Sequence, residues 1–201
     1  EADVGIRGRR VVRVGDLSGA RAVDDVDVTG LFVTPGFINL HSHNRLDAAS
    51  TAVNLLTQGV TTIVLNADGG GSFDVQALFD QDYESGFALN VAPNVGFNTA
   101  WSEVVGPRDV RPTAEQKAAV RMMIETGLEG GAWGVSAGLD YKPTYFATTD
   151  EVVEILAGLG RWRTVFTNHD RLMPEHGFSS MVGMRETIDI GAATGLMPVI
   201  T

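Results

Sequence analysis

The sequence predicts an α/β protein made of consecutive strand–helix units, the first five to six strands of a (β/α)8 TIM barrel. From Phe37 onward, short apolar or β-branched runs alternate with helical patterns, and such alternation indicates parallel βαβ units. Five units fill residues 37–196 at about 32 residues each, so eight would fill the roughly 250 residues of a barrel. An open doubly wound sheet is the alternative, but no Gly-x-Gly-x-x-Gly fingerprint follows a predicted strand.

Local patterns assign the individual elements. Pro35-Gly36 leads into a first strand over 37–40, a β-branched run gives the second over 60–65, and Pro93 shortens the third, predicted over 87–95. Thr113 and Thr148 each open a capping box, which marks a helix start. The remaining predictions are strands over 132–139, 164–169 and 197–201, helices over 47–58, 73–85, 113–128, 148–159 and 181–194, and a loop over 96–112.

A β-rich region precedes these units. Residues 2–6, 9–14 and 22–28 alternate apolar and polar positions between Gly and Asp turns, which is typical of strands. So small a sheet buries little surface alone. We therefore predict two parts, with the sheet of residues 1–34 packing on the barrel of residues 35–201; that residues 1–34 are part of a small β-sandwich is implied by the family resemblance given below.

Composition limits the partners and the chemistry. The net charge is −10 and no basic patch is present, so we expect no nucleic acid partner. No apolar run approaches the ~20 residues of a membrane span, and we expect no membrane partner. No targeting segment is visible, and the absence of cysteine is compatible with cytoplasm or periplasm. The chain begins with Glu1, which suggests a processed form or a fragment.

Histidines lie at predicted strand ends, where barrel enzymes carry their active sites. His41 and His43 end the first strand, and residues i and i+2 of a strand face the same side. His169 ends the fifth strand. Without cysteine, a metal would be held by imidazole, carboxylate or a modified lysine, and zinc accepts imidazole readily. The fourth histidine, His176, lies in a predicted loop, and we do not expect it to bind metal.

Four segments resemble the amidohydrolase superfamily and, within it, the N-acyl-D-amino-acid deacylases (D-aminoacylases). They are Pro-Gly-Phe-Ile-Asn-Leu-His-Ser-His over 35–43, Gly-Val-Thr-Thr over 59–62, Gly-Val-Ser-Ala-Gly-Leu-Asp-Tyr-Lys-Pro over 134–143, and Thr-Asn-His-Asp-Arg over 167–171. One departure is Asn39, where the superfamily most often has Asp. The Gly-x-Ser-x-Gly within the third segment also matches a nucleophile elbow, but Ser136 lies inside a predicted strand, and we reject that interpretation.

The resemblance implies a metal-dependent hydrolase that cleaves the linear amide of N-acyl-D-amino acids. It implies one or two divalent metals, Zn²⁺ being the expected ion, with His41, His43 and His169 as ligands. In this family a strand-six His also binds metal and a strand-eight Asp is the acid/base, and neither position lies within these 201 residues. We therefore expect the C-terminal half of the barrel as a partner, in a second chain or an unseen part, and a homo-oligomer is also possible.

Three further residues follow from the resemblance and from their chemistry. Asp68 aligns with a metal-binding Cys of the family, and a carboxylate can bind zinc, cap the next helix, or hold a histidine from the second shell. Lys142 is a weaker candidate for the carboxylated lysine of other amidohydrolases, since it lies beyond strand four. Tyr141 is expected near the substrate, where its hydroxyl could stabilise an oxyanion.

The substrate contacts are predicted from charge and from the loop after the third strand. Arg171 and Arg45 are candidates to pair with a substrate carboxylate. Asn98 is a further candidate substrate contact, next to Phe97, which stands where these enzymes often have His. Phe97 cannot bind metal or transfer a proton.

Two alternatives stay open. The chain could act on another amide, such as a cyclic amide, a dipeptide or a toxin amide. It could also be a non-catalytic amidohydrolase-like barrel subunit, which the departures at Asp68 and Phe97 favour.

Overall fold

The computed structural model describes residues 1–43, 51–83 and 86–200. The chain divides into two compact units, Glu1–Gly36 and Phe37–Thr201. The predicted strand–helix alternation lies in the second unit, and the predicted sandwich strands lie in the first.

The first unit contains an antiparallel hairpin of β1 (Asp3–Arg7) and β2 (Arg10–Gly15). The strand predicted over 22–28 is wrong, because this segment has no regular secondary structure. Val23 is 99% exposed, and the Asp27 carboxylate accepts a hydrogen bond from the Thr29 backbone N–H at 2.9 Å. Local turn bonds of this kind compete with strand pairing, so an alternating pattern alone does not make a strand.

The second unit contains a six-stranded parallel sheet in which the strands follow in chain order. The strands are β3 (Phe37–Ser42), β4 (Val60–Leu65), β5 (Asn90–Gly96), β6 (Gly134–Gly138), β7 (Val165–His169) and β8 (Met197–Ile200). The helices are α1 (Val53–Leu56), α2 (Val75–Tyr83), α3 (Phe97–Val104), α4 (Ala114–Glu129), α5 (Thr149–Leu156) and α6 (Ser180–Thr194). Because all six strands run parallel, their carboxyl ends share one edge of the sheet.

Helix α3 occupies a segment that the sequence analysis predicts as loop. Phe97, Ala100 and Trp101 are fully buried, at the i, i+3 and i+4 spacing of one helix face. The rings of Phe97 and Trp101 lie 5.8 Å apart. Apolar burial therefore forms a helix directly after Gly96, without the side-chain cap that marks α4 and α5.

The main core lies between the sheet and the helices. It joins Val95, Val135 and Phe166 of three neighbouring strands to helix residues such as Ile124 and Ile155, all fully buried. The predicted capping boxes at Thr113 and Thr148 are both confirmed. The predicted helix over 47–58 is described only from residue 51, and its described helical part is Val53–Leu56.

The two edge strands of the sheet expose apolar side chains. Phe37 and Ile38 of β3 are each 60% exposed, and Met197 of β8 is 67% exposed. Within the residues described, no helix combines the length and apolar character needed to cross a membrane.

Substitution of Gly127 tests the packing of α4 on the sheet. A Cβ at Gly127 would lie 2.6 Å from Val95 Cγ2, and crowding of this kind costs ~1–3 kcal/mol. Alanine also gains ~1 kcal/mol of helix propensity. We expect Gly127→Ala to lower the free energy of unfolding by about 1 kcal/mol, measured by urea denaturation. The double variant with Val95→Ala should lose less than the sum of the single variants; a stabilised Gly127→Ala would contradict this packing.

Candidate metal centre

Three side chains converge at the carboxyl ends of β3 and β4. His41 lies in β3, His43 follows its last residue, and Asp68 lies in the loop after β4. One ligand atom from each lies within 4.8 Å of the others. The parallel pairing of the two strands, with Ser42 opposite Leu65, places the histidine pair beside the loop that carries Asp68.

The distances within this group are short. The Nε2 atoms of His41 and His43 lie 2.8 Å apart. Asp68 Oδ2 lies 3.4 Å from His43 Nε2, and Asp68 Oδ1 lies 3.7 Å from His41 Nε2. His41 Nδ1 and Asp68 Oδ1 are buried and lack a hydrogen-bond partner among the described residues.

This donor set fits a divalent metal. A buried carboxylate oxygen without a hydrogen bond is unfavourable, and a cation held by the group would satisfy Asp68 Oδ1. Two imidazole nitrogens and a carboxylate oxygen are ligands that zinc accepts. The geometry therefore brings together three of the residues predicted to bind metal, His41, His43 and Asp68.

His169 and Tyr141 lie beside this group. His169 Nδ1 is 3.9 Å from Asp68 Oδ2, and the Tyr141 hydroxyl lies 3.1 Å from the same nitrogen. The two rings lie 4.6 Å apart. Burial raises the pKa of the Tyr141 hydroxyl, and the negative charges of Asp68 and Asp140 raise it further. The phenol therefore keeps its proton at neutral pH and can donate a hydrogen bond. The ligand role of His169 stays a prediction.

The loop that carries Asp68 docks on the neighbouring strand ends through its backbone. Gly69 donates its N–H to Ser136 Oγ at 3.1 Å, and its carbonyl accepts the Thr99 N–H at 3.1 Å. Gly96 donates its N–H to the Gly71 carbonyl at 3.0 Å. A Cβ on Gly96 would lie 2.1 Å from the Gly69 carbonyl oxygen, so this docking needs glycine.

The Asn98 side chain binds the end of β6. Its amide donates to the Gly138 carbonyl at 3.0 Å and accepts the Gly138 N–H at 2.9 Å. The Tyr141 N–H also donates to the Gly138 carbonyl at 3.0 Å. Asn98 therefore fixes the chain that leads to Tyr141, and its predicted contact with substrate stays a prediction.

Arg171 has partners within the protein. Its guanidinium donates to both carboxylate oxygens of Glu186 on α6, at 3.1 and 3.2 Å, and to the Tyr145 carbonyl at 2.6 Å. The side chain is only 6% exposed. These contacts do not favour the predicted pairing with a substrate carboxylate. The sequence analysis does not identify Glu186. The general rule that a guanidinium, once buried, pairs with a carboxylate is the only signal for it.

The other residues singled out in the sequence are not part of the group formed by His41, His43 and Asp68, or lie outside the residues that the structure describes. Lys142 Nζ lies over the Phe146 ring, 5.6 Å from its centroid, and the side chain is exposed. Phe97 is fully buried in the core and His176 is exposed in a short 3₁₀ turn. Arg45 lies outside the described residues.

Comparison with known proteins identifies relatives over the whole chain. The chain is 32% identical to a D-aminoacylase of Alcaligenes xylosoxydans, over 100% of its own length and 46% of the relative. It is 30% identical to an N-acyl-D-aspartate deacylase of the same organism, over 95% of the chain and 43% of the relative. The chain thus spans about half the length of these curated relatives. No family model matches the chain.

Comparison of this fold with solved structures identifies the same family. A D-aminoacylase described as defining a subset of amidohydrolases matches with a TM-score of 0.80 and 30% identity, over 99% of this chain and 47% of that one. The N-acyl-D-glutamate deacylase of Bordetella bronchiseptica, complexed with zinc and a phosphonate inhibitor, matches with a TM-score of 0.79 and 26% identity, over 97% and 46%. The predicted resemblance and the partial barrel are confirmed.

Replacement of Arg171 by lysine distinguishes a structural from a substrate role. Lysine cannot reproduce the bidentate contact with Glu186, and hydrogen bonds to charged groups contribute about 1.5–3 kcal/mol. We expect Arg171→Lys to lower the free energy of unfolding by about 2 kcal/mol, measured by urea denaturation. The control is Arg161→Lys, because Arg161 is 59% exposed in its pair with Glu125; it should change stability by less than ~0.5 kcal/mol. Unchanged stability of Arg171→Lys with a raised KM would assign the guanidinium to substrate.

Proposed function

We propose that the chain, which matches about half the length of D-aminoacylases of the amidohydrolase superfamily, forms the metal-binding half of a hydrolase that deacylates N-acyl-D-amino acids. The observation that carries the proposal is the group of His41, His43 and Asp68 at the carboxyl ends of two adjacent parallel strands. Active sites of parallel barrels lie at this edge.

The proposed cofactor is Zn²⁺, one or two ions, held by His41, His43 and Asp68, with His169 as a further ligand. A related D-aminoacylase is described as having a binuclear metal centre, and the related D-glutamate deacylase is complexed with zinc. When bound, such a metal supplies Lewis-acid polarisation of the amide carbonyl and activation of water at neutral pH. The orphaned Asp68 Oδ1 supports a cation at this position.

Tyr141 is the proposed hydrogen-bond donor to the oxygen of the scissile carbonyl. Its hydroxyl lies within 3.1 Å of His169 Nδ1, and burial raises the pKa of this phenol, which favours the protonated form that donates. A neutral donor aimed at a developing oxyanion stabilises the transition state more than the ground state. Asn98 assists by fixing the peptide of Gly138, from which the turn to Tyr141 begins.

The proton transfer to the leaving amine is assigned to a carboxylate outside these 201 residues. The relatives are about twice as long as the chain, which supports a barrel completed by a further part of the protein. Asp68 is committed to the metal group, and the buried Asp170 accepts a hydrogen bond from Thr187 at 2.7 Å.

Substitution of His43 tests the proposed centre. We expect His43→Ala to lose most of its bound zinc and to lower kcat/KM by about 100-fold, because loss of an outer-shell partner alone costs 10–100-fold in metal affinity or activity. Bound metal is measured by elemental analysis after dialysis, and activity on N-acetyl-D-amino acids. The control His176→Ala, at an exposed loop histidine, should change neither. Full activity and metal content in His43→Ala would refute the proposal.

A turnover panel tests the substrate class. N-acetyl-D-amino acids should be hydrolysed with a higher kcat/KM than N-acetyl-L-amino acids, dipeptides and cyclic imides, since the relatives are named for acyl groups on D-amino acids. Preference for a cyclic imide or a dipeptide would assign another amide. Absence of turnover with zinc bound would favour the non-catalytic subunit.

A further inference from the structure

We infer that Ser136 is a positioning residue for Asp68, acting through the peptide bond that joins Asp68 to Gly69. This inference rests on the proposed metal centre, in which Asp68 is a ligand. Ser136 lies in β6 and is fully buried. Its hydroxyl oxygen accepts the Gly69 N–H at 3.1 Å, across 67 residues of sequence.

The planarity of the peptide makes this contact act on Asp68. The Asp68 carbonyl and the Gly69 N–H belong to one planar unit, so a hydrogen bond to the N–H fixes the plane that follows the Asp68 Cα. Rotation of that plane about the Cα–C bond is the Asp68 ψ angle, so holding the plane restricts ψ. The direction of the carboxylate toward His41 and His43 depends on it.

The opposite side of the same peptide is confined by Gly138. A Cβ at Gly138 would lie 2.8 Å from the Asp68 carbonyl oxygen and 2.4 Å from Tyr141 Cδ2. The next carbonyl, that of Gly69, accepts the Thr99 N–H. The peptide between Asp68 and Gly69 is therefore held at its N–H and closely packed at its carbonyl.

The alternation of side chains along β6 explains how Ser136 and Gly138 act on the same peptide. Ser136 and Gly138 are two residues apart in the strand and therefore face the same side. One supplies the acceptor for the Asp68–Gly69 peptide, and the other leaves room for it. The Gly-x-Ser-x-Gly spacing thus serves loop docking here, and a serine buried inside a strand is closed to substrate.

The experiment measures zinc affinity of purified full-length protein by competition with a chromophoric chelator. Ser136→Ala leaves the buried Gly69 N–H without its acceptor and releases the peptide plane. We expect zinc affinity to fall 10–100-fold, the usual range for outer-shell substitutions. In an Asp68→Ala background the same substitution should change zinc affinity less than twofold, because Ser136 acts through Asp68.

The matched control is Thr194→Val. Thr194 also has a buried hydroxyl, which donates to the Ile190 carbonyl at 2.8 Å within its own helix. Its loss should leave zinc affinity unchanged. If Ser136→Ala does not fold, Ser136→Cys replaces it, since sulfur is a weak acceptor of similar size. A smaller loss of zinc affinity is then expected, and only where Asp68 is intact.

The outcomes separate this inference from the proposed function. Unchanged zinc affinity in the Ser136 variants, or equal losses with and without Asp68, would overturn the positioning role. Zinc lost in His43→Ala but kept in Ser136→Ala would overturn the role of Ser136 and leave the metal centre standing. Zinc kept in His43→Ala would overturn the proposed centre and, with it, the role of Ser136.

Discussion

The parallel register of six consecutive strands is the constraint on which the candidate site depends. Ser42 pairs with Leu65 and Gly138 pairs with His169, so β3 and β4 end opposite each other, and so do β6 and β7. Residues far apart in sequence then meet, since the groups that could hold a metal follow directly from these ends. The Tyr141 hydroxyl reaches the His169 ring only because β6 and β7 are adjacent and in step.

The sequence predicts most of this frame because its signals are local. The second strand over 60–65 has the bounds of β4, and the capping boxes at Thr113 and Thr148 fix the starts of α4 and α5. The His-x-His spacing places two imidazoles together because strand geometry has a period of two residues. Local pattern and strand order predict the place of the two histidines, the resemblance adds Asp68, and the structure brings His41, His43 and Asp68 together.

Two of the missed features depend on contacts between distant segments, and a third depends on local turn bonds. Helix α3 forms because Phe97 and Trp101 are buried by strands and helices that no local pattern reveals. Arg171 has the charge expected of a substrate ligand, but Glu186 takes its guanidinium. The segment over 22–28 alternates like a strand, but its valines are exposed and local turn bonds replace strand pairing. In each case the deciding partner lies elsewhere in the chain or in the local backbone.

The docking of the Asp68 loop has a consequence for metal choice. The hydrogen bonds that hold this loop use the backbone of Gly69 and Gly71. The side chain at position 68 therefore contributes little to the loop's own conformation. The resemblance aligns this position with a metal-binding cysteine of the D-aminoacylases, and exchange between thiolate and carboxylate would leave the backbone in place. Thiolate favours softer ions and carboxylate harder ones. The residue at position 68 of the proposed metal centre can therefore change which ion is preferred while the loop keeps its conformation.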